Sequence, residues 1–287
     1  MTTLELYHDA VRRLAATGIM DPKVEAVLLL RHFLGCRRAD IFLNGSQPVA
    51  DSVREEVERA LSRRLDREPL AYILGEQEFY GRAFAVSPEV LIPRSETELL
   101  LDRALLAVRA MGKRLPRILD LGTGSGIIAI TLALELPTAF VVALDLSVRA
   151  LRIAQANSIR HQVTDRVHFL NADWGTSLRA RCDFDLLVAN PPYVAKEIAA
   201  TLQPELAAEP ALALYGGADG RTEIDRIMVD AARLVRPGGL LLMEIGFDQG
   251  EYVVAAMNCL GQFDHVEVHA DYAGLPRILQ ARRRQCS

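Results

Sequence analysis

The fold is decided by Ile118-Leu119-Asp120-Leu121-Gly122-Thr123-Gly124-Ser125-Gly126, where an apolar run leads into three closely spaced glycines. The apolar run predicts a buried strand over 117–121, and the residues after the glycines predict a helix. Glycine tolerates a positive φ and lets a ligand approach the backbone, and the helix start offers free N–H groups. We therefore expect a nucleoside-like cofactor to be bound by Gly122, Thr123, Gly124, Ser125 and Gly126.

The glycine loop alone leaves the kind of cofactor open. Gly124-x-Gly126-x-x-Ala129 also satisfies a loose dinucleotide pattern. Asp145, at the end of the next predicted strand, suits a ribose diol in either case. After the third strand, Asp173 would accept from an adenine amino group and Trp174 would stack on the ring. The sequence thus predicts a nucleotide site without choosing the nucleotide.

Helical and strand patterns alternate from residue 95 onward. The predicted helices are 96–110, 127–136, 148–158, 223–235 and 249–260. The predicted strands are 117–121, 140–144, 167–170, 184–189, 240–245, 265–269 and 277–281. Such alternation is typical of an α/β, Rossmann-like fold with a mostly parallel sheet of seven strands and helices on both faces. The last two strands lack a long helix between them and predict an antiparallel pair at one edge.

The chain before this region has a different pattern. Residues 1–75 predict short amphipathic helices, because apolar residues recur at spacings of three and four without an intervening strand pattern. Residues 76–92 predict a β-hairpin with glycine in its turn, followed by prolines. We therefore predict a helical bundle domain over 1–75, a connecting hairpin over 76–92 and the α/β domain over 93–287.

A second loop indicates the chemistry. Strand 184–189 leads to Asn190-Pro191-Pro192-Tyr193 at the edge of the sheet that carries the glycine loop. The prolines stiffen this loop and remove N–H donors, so it presents carbonyl oxygens. A planar –NH₂ group would donate to the Asn190 side chain and to the Pro191 carbonyl, and both bonds would strengthen as its nitrogen is methylated. We predict Asn190, Pro191, Pro192 and Tyr193 as catalytic residues, with Asn190 also touching the cofactor.

Neither part of the chain has an excess of positive charge. Residues 1–75 carry 11 acidic and 11 basic side chains, and residues 76–287 carry 26 acidic and 22 basic ones. Proteins that bind nucleic acid through its phosphates need such an excess. The composition therefore argues against a direct nucleic-acid partner.

Metal sites, disulfides and membrane segments are not predicted. The cysteines are far apart and none forms a Cys-x-x-Cys pair, so they are interpreted as ordinary thiols. They are Cys36, Cys182, Cys259 and Cys286. His265 and His269 fall in a predicted strand, where a spacing of four does not make a metal pair. Because no apolar run could span a bilayer and no export signal begins the chain, we expect a cytoplasmic protein.

Further motifs resemble one enzyme family. They are Glu78-Phe79-Tyr80-Gly81, Leu91-Ile92-Pro93-Arg94-x-Glu96-Thr97-Glu98, Gly216-Gly217-x-Asp219-Gly220, Glu244-Ile245-Gly246-x-x-Gln249 and Asp271-x-x-Gly274. With the two loops above, they resemble the release-factor glutamine methyltransferases, the PrmC/HemK group, over nearly the whole chain. Ser95 is a minor departure, since many relatives have Pro or another small residue there. The Arg282–Arg284 tail belongs to no motif.

The resemblance implies a class I methyltransferase fold and S-adenosylmethionine as cofactor. It implies methylation of the side-chain amide nitrogen of the glutamine in the Gly-Gly-Gln motif of class 1 peptide-chain release factors, with residues 1–75 recognising the substrate. By position, Gly122–Gly126, Asp145 and Trp174 would contact the cofactor, and Asn190–Tyr193 would hold the glutamine. We expect a monomer with no membrane association.

Three alternatives remain open at this point. DNA adenine and ribosomal RNA guanine methyltransferases share Asn-Pro-Pro-Tyr, but they would need a basic track. An NAD-dependent oxidoreductase would share the glycine loop but gives no role to the two prolines. A non-catalytic binding module on the same fold would not need both loops intact.

Overall fold

The computed structural model describes residues 1–179, 183–201 and 203–285. The described part of the chain divides into two compact units. The first unit comprises Met1–Glu76 and Gln203–Ala208, and the second comprises Gln77–Leu202 and Glu209–Ser287.

The first unit is built from helices around one apolar core. Its helices are α1 (Thr3–Ala16), α2 (Pro22–Leu34), α3 (Arg38–Leu43), α4 (Asp51–Leu65) and α5 (Leu70–Leu74). Helix α1 begins at a capping box, in which the side chains of Thr2 and Glu5 each accept the other residue's N–H. Helix α2 has Pro22 in its first turn and ends at Gly35, whose φ is 60°. The buried core includes Leu6, Leu14, Leu29, Leu30, Ile41 and Leu61.

Arg64 is a buried charge in the first unit. Its guanidinium donates to Glu25 at 2.6 Å and to Glu205 at 3.1 Å, and Arg67 donates to Glu205 at 2.9 Å. Glu205 lies in a 3₁₀ helix over Pro204–Ala208. The paired charges therefore hold this later segment of the chain on helices α2 and α4.

A two-stranded hairpin, β1 (Glu76–Phe79) and β2 (Arg82–Ala85), follows α5. Its turn residues Tyr80 and Gly81 have φ values of 52° and 69°, the left-handed pair that a tight two-residue hairpin requires. Phe79 and Phe84 are buried in the apolar cluster beneath the main sheet. From Gln77 onward, the hairpin is part of the second unit.

In the second unit, the described residues form one seven-stranded sheet in the order β5-β4-β3-β6-β7-β9-β8. Its strands are β3 (Arg117–Leu121), β4 (Phe140–Asp145), β5 (Val167–Asn171), β6 (Phe184–Ala189), β7 (Val235–Glu244), β8 (Phe263–Ala270) and β9 (Pro276–Arg283). The helices are α6 (Glu96–Ala110), α7 (Ile127–Glu135), α8 (Val148–Arg160), α9 (Ala211–Leu214), α10 (Thr222–Leu234) and α11 (Gly250–Leu260). Strands β3 to β7 pair in parallel, and β9 is antiparallel to β7 and β8. This confirms the predicted fold class and its antiparallel edge.

Both faces of the sheet are covered. Successive residues of a strand point to opposite faces. In β3, Ile118 packs in one apolar cluster with α6 and α7, and Leu119 packs in a second cluster with α10 and α11. Continuous apolar strands are what a parallel sheet with helices on both sides needs.

The strand register brings the functional loops together. Leu121, the last residue of β3, pairs with Leu144 of β4 and with Ala189 of β6. Asp145 pairs with Asn171 of β5, and Ala189 pairs with Met243 of β7. The residues that follow these positions therefore meet at one edge, where the order of the strands changes direction.

Most predicted elements match, and the differences have local causes. The bounds of α6, β3 and β6 are those predicted. The predicted start of β7 at residue 240 is wrong, because the strand begins at Val235 and includes Pro237 and Gly238. Such residues disfavour strands, and here an irregular register between Phe184 and Leu186 of β6 accommodates them. The short helices α3, α5 and α9 were missed because they are too short to show a helical period.

A substitution at Gly126 tests how closely the glycine loop packs on its neighbouring helices. Its φ is 85°, and an added Cβ would lie 2.8 Å from Ile130 Cδ1 and 3.1 Å from Ala154 Cβ. At Gly112, φ is 60° but no atom lies within 4 Å of such a Cβ. We expect Gly112→Ala to cost about 1 kcal/mol of unfolding free energy from backbone strain, and Gly126→Ala to cost about 1–3 kcal/mol more from crowding. Urea unfolding of both variants measures the difference, and equal losses would contradict the packing role.

Candidate functional site

A cavity of about 380 Å³ lies at the carboxyl edge of the parallel strands. Most of the predicted site residues line it: Gly122, Thr123, Gly124, Ser125, Asp145, Asp173, Trp174, Asn190 and Pro192. Gly126, Pro191 and Tyr193 do not line it. The structure thus brings the glycine loop, the ends of β4 and β5 and the start of the Asn-Pro-Pro-Tyr loop to one cavity.

The glycine loop is held by the end of β4. The N–H groups of Gly122 and Thr123 both donate to the Leu144 carbonyl at 2.9 Å. The N–H of Gly124 donates to Asp145 Oδ2 at 2.8 Å, and the other Asp145 oxygen accepts an N–H at the start of α8 at 2.8 Å. Asp145 therefore braces the loop from the cavity wall, so a ribose hydroxyl there would share this carboxylate with the backbone.

Asp120 is buried beneath the same loop. Its Oδ2 accepts the Thr123 hydroxyl at 2.6 Å, while its Oδ1 has no hydrogen-bond partner among the described residues. Burial raises the pKa of Asp120 to about 7, and the negative charge of Asp145 adds to the shift. The loop thus lies over a carboxyl group that takes up a proton near neutral pH.

Trp174 is tied to helix α10. Its indole Nε1 donates to Glu223 at 2.6 Å, and Arg226 joins Glu223 to Asp173, donating at 3.0 and 2.6 Å. A Cβ on Gly122 would lie 3.0 Å from the indole ring, so the ring packs directly against the glycine loop. Trp174 also has a left-handed backbone, with a φ of 47°.

Two of these residues were not predicted from the sequence. Glu223 and Arg226 both line the cavity. Their only signal is a spacing of three on α10, which is equally typical of a solvent-exposed ion pair on a helix. Since Arg226 already engages Asp173, the predicted adenine contact of Asp173 would compete with this ion pair.

The Asn190 side chain is held from behind by buried groups. Its Nδ2 donates to Thr97 Oγ1 at 3.0 Å, and the Thr97 hydroxyl donates to Glu244 Oε2 at 2.8 Å. The Tyr193 hydroxyl donates to the other Glu244 oxygen at 3.1 Å. Thr97 and Glu244 are almost completely buried, and burial raises the pKa of Glu244 and of Tyr193. Tyr193 therefore contacts this internal carboxylate and does not present its ring to the cavity wall.

The backbone of the Asn-Pro-Pro-Tyr loop lies against two glycines. A Cβ on Gly216 would lie 2.3 Å from the Pro192 carbonyl oxygen, and one on Gly220 would lie 2.2 Å from that of Tyr193. The Gln249 side-chain amide donates to the Tyr193 carbonyl at 3.2 Å and to the Gly220 carbonyl at 3.1 Å. The motifs at 216–220 and 244–249 thus fix the loop's shape.

Arg94 and Glu209 anchor a further wall of the cavity. Glu209, almost completely buried, accepts the Ile92 N–H at 3.0 Å and forms an ion pair with Arg94. The next residues, Pro210, Ala211, Leu212, Ala213 and Tyr215, all line the cavity. The sequence resemblance pointed to Arg94 but gave no signal for Glu209.

Asn157 fastens the hairpin to the glycine loop. Its side-chain amide donates to the carbonyls of Ala85 and Ser125 at 3.0 and 2.9 Å, and its Oδ1 accepts the Ala85 N–H at 2.7 Å. Asn157 is completely buried, so these bonds satisfy an amide that water cannot reach. Its place on α8 looked like an ordinary polar position in the sequence.

Other predicted features concern metals, thiols and membranes. Within residues 1–179, 183–201 and 203–285, no three His, Cys, Asp or Glu side chains are grouped so as to hold a metal ion. Cys36 and Cys259 are free thiols, and Cys182 and Cys286 lie outside the described residues. In the same described ranges, the helices are too short or too polar to cross a bilayer.

Family models match both parts of the chain. A model described as the PrmC N-terminal domain matches residues 5–75, and one described as the methyltransferase small domain matches residues 97–272. The second match contains the glycine loop, the Asn-Pro-Pro-Tyr loop and most of the residues that line the cavity.

The chain is also similar to curated proteins over nearly its full length. It is 43% identical to the release factor glutamine methyltransferase of Bordetella pertussis, covering 90% of this chain and 93% of that protein. It is 39% identical to the release factor glutamine methyltransferase of Moorella thermoacetica, covering 99% of this chain and 100% of that protein. Among solved structures, it resembles the hMettl16 catalytic domain in complex with a MAT2A 3′UTR hairpin, at 17% identity and a TM-score of 0.56 over 83% of this chain and 85% of that one. The last similarity shows the fold alone.

Asp120 makes stability depend on pH. Its folded pKa of about 7 exceeds the ordinary value of 3.8, so its contribution to stability is full below about pH 4 and is lost as pH rises through 7. Asp120→Asn removes this titration. We expect its unfolding free energy, relative to the original chain, to rise between pH 4 and 7 by on the order of a few kcal/mol and then level off. Urea unfolding across that range is the measurement, and a difference independent of pH would contradict the shifted pKa.

Proposed function

Because the chain belongs to the release factor glutamine methyltransferase family, we propose that it uses S-adenosylmethionine to methylate the side-chain amide nitrogen (N5) of a release-factor glutamine. The acceptor would be the glutamine of the Gly-Gly-Gln motif in class 1 peptide-chain release factors. One observation carries the proposal: the braced glycine loop and the oriented Asn190 amide follow paired ends of adjacent strands and line one cavity.

The cavity suits S-adenosylmethionine in size and lining. Its volume of about 380 Å³ lies within the roughly 300–1,000 Å³ of pockets that hold small molecules. The wall carries the carboxylates of Glu89, Asp145, Asp173 and Glu223. Glu89 is paired with Arg149, and Asp173 and Glu223 are paired with Arg226. Asp145 accepts backbone N–H groups instead, so its charge would favour a cationic guest. Arg94 on the same wall is paired with Glu209. Asp145, Trp174 and residues 122–125 would hold the cofactor.

The Asn-Pro-Pro-Tyr loop suits a planar amide. An amide nitrogen attacks poorly because its lone pair is delocalised, so it must be held in line. Asn190 donates its own N–H to Thr97, which leaves its Oδ1 to accept from a substrate –NH₂. Although Pro191 does not line the cavity, we assign its carbonyl as the acceptor of the second hydrogen. If S-adenosylmethionine were bound in the cavity, its S–CH₃ bond would break as the N–CH₃ bond forms, S-adenosylhomocysteine would be the leaving group, and the substrate nitrogen would release one proton to solvent. The two acceptors stabilise the charge that develops on that nitrogen.

The proposed acceptor is a protein and not a nucleobase. Relatives that match this chain nearly end to end are named for release factors, whereas the RNA-bound structure shares only the fold. The balanced charge of residues 1–75 also gives no basic track for phosphates. We assign release-factor recognition to residues 1–75, which the PrmC N-terminal model matches, and the cytoplasm as the place of action.

The acceptor class can be measured directly. The purified protein is incubated with methyl-labelled S-adenosylmethionine and, separately, a class 1 release factor, that factor with its Gly-Gly-Gln glutamine changed to alanine, DNA and ribosomal RNA. We expect label on the unmodified factor alone, because the alanine factor lacks the acceptor amide and the balanced charge of residues 1–75 gives nucleic acid no basic track. Label on nucleic acid, or equal label on the alanine factor, would contradict the proposal.

As a catalytic control, Asn190→Ala is expected to lower turnover about 10²- to 10³-fold, the usual effect of losing one preorganised contact.

Trp174 is the only tryptophan in the chain, so the tryptophan fluorescence of the protein reports on the cofactor cavity alone. We expect S-adenosylhomocysteine to change its fluorescence in a saturable way, because the indole lines the cavity beside the glycine loop. Trp174→Phe should lose the signal while calorimetry still detects binding, more weakly. If calorimetry shows binding to the original chain without any change in emission, the cofactor lies elsewhere.

A further inference from the structure

We propose that Thr97 and Glu244 are positioning residues that fix which way the Asn190 side-chain amide faces. This inference rests on the proposed function, because it concerns how the acceptor amide is received. Neither residue touches the substrate in this scheme. Both are buried behind Asn190 and act on the substrate only through its side chain.

The hydrogen bonds form a chain with a defined direction. Glu244 stands at its inner end and accepts two hydroxyls, from Thr97 at 2.8 Å and from Tyr193 at 3.1 Å. Because the Thr97 hydrogen is used on Glu244, the Thr97 oxygen can only accept, and it accepts from Asn190 Nδ2 at 3.0 Å. Asn190 Oδ1 is therefore the atom left facing outward.

The direction of these hydrogen bonds requires Glu244 to be ionised. A protonated carboxyl could donate to Thr97, the Thr97 hydroxyl would then donate to Asn190, and the amide would turn its –NH₂ outward. That –NH₂ would oppose the –NH₂ of a glutamine side chain. The charge state of Glu244 is thus transmitted to the surface of the site through one threonine hydroxyl.

The groups around Glu244 act in opposite directions on its charge. The hydroxyls of Thr97 and Tyr193 and the positive charge of Arg277 favour the carboxylate, whereas burial and the negative charge of Glu96 oppose it. Arg277 is held in place by Asp271, at 3.2 Å, and by the Ile245 carbonyl, at 3.4 Å. Burial is the largest effect, and it raises the pKa of Glu244.

The hydrogen bonds behind Asn190 connect two of the sequence motifs. Thr97 belongs to the stretch 91–98, and Glu244 begins the stretch 244–249. Thr97 lies in the first turn of α6, whereas Glu244 is the last residue of β7. Two distant motifs thus meet at one hydrogen bond behind Asn190.

The threonine hydroxyl is tested with three variants. Thr97→Val keeps the shape but removes the hydrogen bonds, Thr97→Ser keeps the hydroxyl, and Thr131→Val is the matched control. Thr131 is also fully buried, and its hydroxyl has no partner among the described residues. With a release factor as acceptor, we expect Thr97→Val to lower kcat about 10-fold. Thr97→Ser should stay within about threefold of the original chain, and Thr131→Val should match it. Cofactor affinity, measured by Trp174 fluorescence, should not change in any of them.

The carboxylate is tested by its pH dependence. In the original chain, kcat should fall as pH drops through the raised pKa of Glu244, because protonation reverses the hydrogen-bond chain. Glu244→Gln should have a lower kcat and should lack that acidic limb. An unchanged limb in Glu244→Gln, or a Thr97→Val variant as active as Thr131→Val, overturns the positioning role.

A third measurement does not depend on the acceptor. The Asn190 side-chain ¹⁵NH₂ signal is assigned by its loss in Asn190→Asp. One of its two protons should exchange slowly in the original chain and in Thr97→Ser, and both should exchange quickly in Thr97→Val. Equal exchange in all three overturns the inference whatever the substrate. If the exchange pattern holds but no release factor is methylated, the proposed function fails and the orientation of Asn190 stands.

Discussion

The pairing of β3 with both β4 and β6 is the constraint on which the site depends. Leu121 has Leu144 on one side and Ala189 on the other, so the chain must leave the sheet at neighbouring points in three places. The glycine loop, Asp145 and Asn190 directly follow these paired residues, so the register brings them to one edge of the sheet. A shift of one residue in either pairing would turn the strand's side chains to the opposite face and separate the two loops.

The edge so formed concentrates buried carboxyl groups. Asp120 is the second-last residue of β3, and Asp145 and Glu244 are the last residues of β4 and β7. Burial raises the pKa of each. Each costs folding free energy, and each is partly compensated by a donor from the loop that it supports: Thr123, Gly124 and Tyr193, respectively. The acidic edge therefore stabilises the shape of the loops at the expense of overall stability, as is usual for functional sites.

The elements that depend on a local sequence pattern could be predicted from the sequence. Strands β3 and β6 are mostly apolar runs that are followed by a glycine and by Asn-Pro-Pro-Tyr, so their bounds and their shared edge could be predicted. Glu223 and Glu209 could not be, because each contacts a residue far away in the sequence: Trp174 and Arg94. Tyr193 shows the same limit, since its hydroxyl faces inward to Glu244, and only the packed sheet edge decides between that carboxylate and the cavity.

The same contrast explains why Asn-Pro-Pro-Tyr alone was ambiguous while the wider set of motifs was specific. Four residues can present an amide oxygen and a carbonyl, but they cannot choose their own conformation. Here, the Pro192 and Tyr193 carbonyls lie against Gly216 and Gly220, where any side chain would collide with them. Gln249 then fixes the Tyr193 carbonyl by a hydrogen bond. The motifs at 216–220 and 244–249 thus shape the loop from behind, and for that reason similarity across the whole unit says more about the acceptor than the loop itself does.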